Sequence, residues 1–369
     1  MVPLFKIIIS LSCALFITFD SIAAIKHVET VFKREQQDEF SKLLKVHFID
    51  IGGGDAILIN TPSNKKILID GGFSWQERKL ASIEYKTYLD EYLADDIVDI
   101  MVITHPDYDH FGGFAEVLQY STVKQVWASG YDSDELSGSW RTLLKKLEKA
   151  PDTLFLSPLS SYLGLGSVIR IDDAGTINKD DDITITIINA PKRIPKKAYG
   201  NSGRTLDESQ RRNSSSIVLR LDFGETSFLF TGDTNGRKKK SGINNHDDQE
   251  KFMVDNNNNP NHPIHGLLNV DVLKVAHHGS DGSSSLKFLQ TVKPQWAVIT
   301  AGKPHGHPHS GVLERLEHQS VGLSKDNVIR TDNKDSGKTT EKNLGDDTIV
   351  FTVDKIGVVD IKVYNIDLN

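Results

Sequence analysis

Ile103-Thr104-His105-Pro106-Asp107-Tyr108-Asp109-His110-Phe111-Gly112-Gly113 decides how this chain is read. The apolar run Ile97-Val98-Asp99-Ile100-Met101-Val102-Ile103 leads into it and predicts a buried strand. Two histidines and two aspartates then fall within six residues, 105 to 110, and Gly112-Gly113 opens the next element. Clustered imidazoles and carboxylates at a strand end can hold a metal ion on a rigid edge. An acidic turn with two incidental histidines is the plain alternative. It loses weight because metal-type residues recur at other strand ends.

Those other ends are readable outward from the first. Ile217–Phe223 and Ser227–Phe230 form a hairpin that stops at Thr231-Gly232-Asp233. The run Val270–Ala276 ends in His277-His278-Gly279-Ser280, and a Gly/Pro loop after Trp296–Thr300 carries His305, His307 and His309. Upstream, Leu44–Ile51, Ala56–Asn60 and Lys66–Asp70 predict a meander with glycine turns at 52–54 and 71–72. Asp55 and Asp70, each beside glycine, read as residues that hold turns near the site. Helices are predicted over 79–94, 114–120, 138–149 and 312–318, with another starting at Leu286. Two runs of mostly antiparallel strands, each with helices, predict an α+β fold: a four-layer αββα sandwich.

Composition sets outer limits. The 369 residues carry a net charge of −7, so the overall field does not favour nucleic acid, although metal ions can still engage phosphates. Residues 1–24 read as a signal peptide, with Lys6 before the apolar run Ile7–Ile17 and small residues Ser21–Ala24. That run is short for a membrane span, so export to the periplasm or medium without a lasting anchor is expected. Cys13, the only cysteine, lies inside this segment, so the processed chain has no thiolate ligand and no disulfide. A polar lead follows over 25–43, and one domain covers 44–365. Residues 192–214 read as a basic loop. Residues 235–264, with Lys238-Lys239-Lys240 and Asn256–Asn259, read as a polar, partly disordered insertion loop.

Phe48–Ile59, Ile69-Asp70-Gly71-Gly72, Thr104–Gly113, Asn213–Leu219, Phe230–Asp233, Leu273–Ser280 and Gly306–His309, in this order, resemble the metallo-β-lactamase fold hydrolases. The likeness is strongest to the branch containing the hydrolase domain of the competence protein ComEC, with a relation to phosphorylcholine esterases. Two positions depart from pattern. The wider superfamily has histidine where Asp107 stands, and this branch usually has glutamine in place of Gly53. The resemblance implies that His105 and Asp107 hold one metal ion, that Asp109 and His110 hold a second, and that Asp233 bridges them. His278 completes a shell, and His277 is a ligand or a substrate contact. The family's usual histidine between the first motif and Asp233 has no match, and Asn213 or water fills that space.

On this reading the cofactors are two divalent ions, zinc first and manganese second, since carboxylate at 107 favours harder ions. Their field acidifies a bound water. Asp109, His277 and His307 are the expected catalytic residues, the last as a proton donor or anion contact. The expected activity is phosphodiester hydrolysis on a small or polymeric substrate, nucleic acid or a phosphorylated envelope component. Cleavage of a carboxylic ester, lactone or β-lactam on the same site is the runner-up, followed by a non-catalytic extracytoplasmic binding protein.

Overall fold

The computed structural model describes residues 43–73, 78–93, 97–150, 152–157, 159–172, 183–200, 203–302, 304–332 and 348–364. The expected signal peptide and the polar lead up to residue 42 lie outside these residues.

Strand alternation builds two cores at once. In β2 (Ala56–Asn60), Ile57 and Ile59 join one buried cluster while Ala56 and Leu58 join another, and all four are within 2 % of full burial. A side chain fully removed from water contributes roughly 1.5–3 kcal/mol. A strand buried on both faces is therefore held firmly in register, since a one-residue slip exchanges its two faces. β1 (Leu44–Phe48) pairs with β2, and β3 (Lys66–Gly71) follows antiparallel. β4 (Ile97–Ile103), β5 (Thr122–Ala128) and β6 (Leu154–Leu156) then add in parallel. β14 (Thr348–Val353) and β15 (Val358–Tyr364) return to pair beside β1 and complete an eight-stranded sheet.

The second sheet has seven strands. β7 (Val168–Asp172), β8 (Ile183–Asn189), β9 (Val218–Phe223) and β10 (Thr226–Phe230) are antiparallel. β11 (Val272–Lys274), β12 (Trp296–Ile299) and β13 (Val328–Arg330) continue parallel to β10. Both sheets are thus mixed, where the sequence reading expected mostly antiparallel strands. Crossover helices such as Leu286–Val292 bring the chain back to start the next strand in the same direction.

Three apolar layers follow. Phe48, Ile187, Leu219, Phe230 and Phe351 pack between the sheets. Helices 78–92, 114–120 and 138–148 cover the first sheet through Tyr85, Phe114 and Trp140. Helices 248–257, 286–292 and 310–316 cover the second through Met253, Phe288 and Val312. The α+β, four-layer expectation holds.

Two stretches differ from their sequence reading. The expected loop 235–264 contains the helix Asp248–Asn257, and several of its polar residues, Arg237, Asp247, Asp248 and Glu250, are buried and paired, while Lys238, Lys239 and Lys240 are exposed. Arg237 Nη1 lies 2.6 Å from Asp281 Oδ1, Arg204 Nη2 lies 2.7 Å from Asp247 Oδ1, and Glu250 accepts from the Ser285 amide at 2.8 Å. These partners are distant in sequence, so composition could not separate the buried, paired groups of this stretch from its solvated lysines. The basic loop 192–214 ends in the helix Glu208–Ser214, opened by a capping box between Asp207 and Gln210.

Glycine fixes the approach of the first-sheet turns to the 105–110 loop. A Cβ on Gly72 would stand 2.2 Å from the His110 nitrogen and 2.3 Å from the Asp109 carbonyl carbon. Backbone cannot yield there as a side chain would. Gly72→Ala is therefore expected to lower stability by about 1–3 kcal/mol, read as a fall in the thermal unfolding midpoint. Gly138→Ala, with nothing within 4 Å, leaves the midpoint unchanged or raises it.

Candidate metal centre

The parallel strands bring their C-terminal ends to one edge, and the site lies there. β4 delivers His105, β10 delivers Asp233, β11 delivers His277 and His278, and β12 delivers Thr300. His277 and His278 both adopt left-handed backbone conformations, φ 54° and 52°. Such consecutive positions each cost on the order of 1–2 kcal/mol, and they turn both rings inward.

Asp233 is the centre. His110 Nε2 stands 3.2 Å from its Oδ1, and the Nε2 atoms of His278, His277 and His105 stand 3.6, 3.7 and 3.9 Å from its Oδ2. Asp109 Oδ2 lies 3.7 Å from His278 Nε2. Among the described residues four sets, His105–His110–Asp233, Asp109–His110–His278, Asp55–Asp233–His278 and Asp55–Asp70–His110, each present three ligand atoms within 4.8 Å of one another. Asp107 belongs to no such set among the described residues. Its Oδ2 lies 3.6 Å from His105 Nε2, but Arg212 Nε donates to its Oδ1. With the Asn213 amide oriented to satisfy both ends, its Nδ2 donates to Asp107 Oδ2 at 2.9 Å and its Oδ1 accepts from His277 Nδ1 at 3.2 Å. Asn213 thus sits in the space where the sequence offered no histidine, though as a hydrogen-bonding spacer.

Buried atoms here ask for a cation. His105 Nε2, His110 Nε2, His278 Nε2 and Asp233 Oδ1 are enclosed and make no well-formed hydrogen bond among the described residues. Each such group costs about 1–3 kcal/mol if left unmet. A divalent ion ligated by imidazole and carboxylate meets all four, so the donor set fits the implied metal. Surrounding groups set the rings. His278 Nδ1 donates to the Thr300 carbonyl at 2.8 Å, which turns Nε2 toward Asp233. His110 Nδ1 lies 2.8 Å from Asp70 Oδ2, and Asp70 also accepts from the Thr104 amide and hydroxyl at 2.8 and 2.7 Å. Orientation of a ligating ring through its other nitrogen is the usual support for a metal site.

Two acceptors read as turn residues thus do more: Asp70 steers His110, and Asp55 pairs with the fully buried Lys274. Burial pushes the Asp55 carboxyl up, but Lys274 and His278 hold it well below the usual carboxylate range. Sequence reasoning passed over Lys274, Thr300 and Arg212. A lysine inside the apolar run 270–276 was a readable signal for the first, and the Asp207/Gln210 capping box was one for the helix bearing Arg212.

The carboxylates dominate the local field. Burial pushes the His278 ring down, yet Asp233 and Asp55 outweigh it and hold the ring up at about 10. His110 is likewise held well above its ordinary value against burial, by Asp233 and Asp70. His277 behaves oppositely: burial prevails over Asp233 and brings it down to about 4. His307, lowered to about 2 by burial and then by His278 and His277, lies 5.5 Å from the His277 ring, centre to centre. His309 accepts from the Asp281 amide at 3.0 Å, and His305 is exposed.

Because Asp233, with Asp70 and Asp55, favours the protonated rings of His110 and His278, an ion competes with protons for this centre. Calorimetry of zinc or manganese binding at pH 7, in buffers of different ionisation enthalpy, is expected to show net proton release. Affinity should weaken as pH falls. Binding without proton release would contradict this assignment.

Comparison with known proteins agrees with the geometry. Residues 49–303 match the metallo-beta-lactamase superfamily. ComE operon protein 3 of Bacillus subtilis is 28 % identical over 313 residues, 81 % of this chain and 33 % of that protein. Recombination protein 2 of Haemophilus influenzae is 26 % identical over 275 residues, 74 % of this chain and 26 % of that protein. The chain therefore spans a third or less of the length of these relatives. The solved metallo-beta-lactamase fold protein YhfI from Bacillus subtilis superposes with a TM-score of 0.39 at 12 % identity, covering 78 % of this chain and 96 % of that one. Both the superfamily and the competence-protein likeness expected from the motifs are matched.

Proposed function

This chain belongs to the metallo-beta-lactamase superfamily, and from that premise we propose that it is an exported, metal-dependent phosphodiesterase. The observation that carries the substrate class is positive charge at the mouth of the site in a chain of net charge −7. Arg212, part-exposed, stands on Asp107, and the exposed Lys239 side chain lies against Gly282, in the loop that follows His277 and His278. A forked guanidinium and an ammonium suit phosphate oxygens. A relative named for recombination supports nucleic acid as one such substrate.

Divalent ions, zinc first and manganese second, would supply Lewis acidity toward a phosphoryl oxygen and acidify a water when held by His105, Asp109, His110, Asp233 and His278. The chain's own residues do the rest. Asp70 and Thr300 keep the ligating nitrogens of His110 and His278 aimed inward. Asp109, beside His278, is a hydrogen-bond acceptor for the attacking water. His277 is neutral and part-exposed, so it can carry the water's proton to the leaving oxygen. His307 packs against it and narrows the mouth. Water adds to phosphorus, the ester P–O bond breaks, and the proton ends on the leaving alcohol.

The full chain, stripped of metal and reloaded separately with zinc and manganese, is expected to cleave bis-p-nitrophenyl phosphate. Asp233→Ala should lose at least about 100-fold in rate. Single-stranded DNA tests the polymeric substrate, and turnover of nitrocefin alone would overturn the phosphodiester reading. Export rests on the Lys6–Ile17 stretch. Immunoblots of cell fractions should find a shortened chain outside the cytoplasm, and an unprocessed cytoplasmic chain would refute it.

A further inference from the structure

The five carboxylates around the centre are not equivalent. Asp55 is answered by Lys274, and Asp70 by Thr104 and His110. Asp109 faces the His278 imidazole at 3.7 Å, and Asp233 faces four imidazoles at 3.2–3.9 Å with the Lys274 ammonium at 3.9 Å. Asp107 alone faces a guanidinium, and its second oxygen takes the Asn213 amide at 2.9 Å. Both donors come from one short helix, Glu208–Ser214, opened by the Asp207/Gln210 capping box. It is tied to its surroundings by the Tyr131 hydroxyl, which donates to Glu208 at 2.9 Å, by Arg211 Nη2, which donates to the Ile194 carbonyl at 3.2 Å, and by Asn235 Nδ2, which donates to the Gln210 carbonyl at 2.7 Å.

We propose that the Arg212–Asp107 ion pair is a latch on the metal centre: it withholds Asp107 from a second ion, so the two ions bind with unequal affinity. The inference rests on the divalent-ion reading of the site and not on the substrate. The tight position has Asp109, His110, His278 and Asp233. The weak position is left with His105 and a share of Asp233, because an amide occupies the place of a further imidazole. A second ion must displace a fixed guanidinium charge from Asp107 before it gains that oxygen. Charge-assisted bonds of this kind are roughly twice as strong as neutral ones, and the displaced cation remains close enough to repel the ion. Arg212 is therefore a positioning residue, one that sets how many ions the centre holds at a given concentration.

The test is binding, which separates its failure from failure of the phosphodiester assignment. Metal-free full chain is titrated with manganese, with free ion followed by electron paramagnetic resonance. Wild type should bind one ion tightly and a second at least about 10-fold more weakly. Arg212→Gln should leave the first affinity in place and tighten the second about 10-fold or more. Asp107→Asn in the Arg212→Gln background should cancel that gain, because it removes the carboxylate that the latch frees. Circular dichroism and thermal unfolding establish that each variant is folded. Arg212→Lys serves if Arg212→Gln does not fold, because its ammonium cannot reproduce the Nε bond and should tighten the second ion in part. Equal affinities in wild type, an unchanged second affinity in the folded Arg212 variant, or a gain that survives Asp107→Asn each overturn the proposal.

Discussion

A carboxylate buried among four imidazoles is the interaction on which the rest depends. Asp233 lies within 3.9 Å of ring nitrogens from His105, His110, His277 and His278. Left alone, such a cluster is unfavourable, since buried charge needs close and well-directed partners. The fold supplies them in a second ring. Lys274 reaches Asp55 and the Gly232 carbonyl, Asp70 ties Thr104 to His110, and Thr300 fixes His278. The arrangement is thus a negative pocket whose walls are held by hydrogen bonds and whose centre favours a cation.

That pocket explains the strained backbone around it. Left-handed residues at Asp70, His277 and His278 sit beside the close glycine approaches of Gly54 and Gly72 to the 109–110 backbone. Strain of this sort persists only where the surrounding structure over-determines it. Here three apolar layers do so, because strands buried on both faces cannot slide to relieve a turn. Stability of the sandwich and geometry of the site are therefore the same problem. The layers hold the strand ends, and the strand ends hold the rings.

Charge is distributed with equal economy. The chain is acidic overall, yet Arg212 reaches Asp107 beside the centre and the exposed Lys239 lies against Gly282, in the loop after the two histidines. The stretch 235–264, which looks like solvated filler by composition, packs the helix Asp248–Asn257 and the Arg237–Asp281 pair against the loop that follows the two histidines. Its lysines are therefore displayed from an anchored surface. Glu250, pushed up to about 7 by burial, accepts from the amides of Ser284 and Ser285 and pins that same loop.

The sequence by itself determined the layer architecture, the strands that feed the site, and the metal-type residues His105, Asp107, Asp109, His110, Asp233, His277 and His278 at their ends. Apolar periodicity and strand-end polarity are local properties, so they survive being read along a line. Strand direction was decided only in three dimensions, as were the burial of Lys274 against Asp55 and the steering of His110 by Asp70. Pairing between groups 34 to 245 residues apart leaves no local trace, as the bonds of Asp70 to Thr104 and of Asp55 to Thr300 illustrate. The same holds for Asp107. Its place in the motif marks it as a ligand, but a helix a hundred residues downstream brings Arg212 onto it and changes what that carboxylate is free to do.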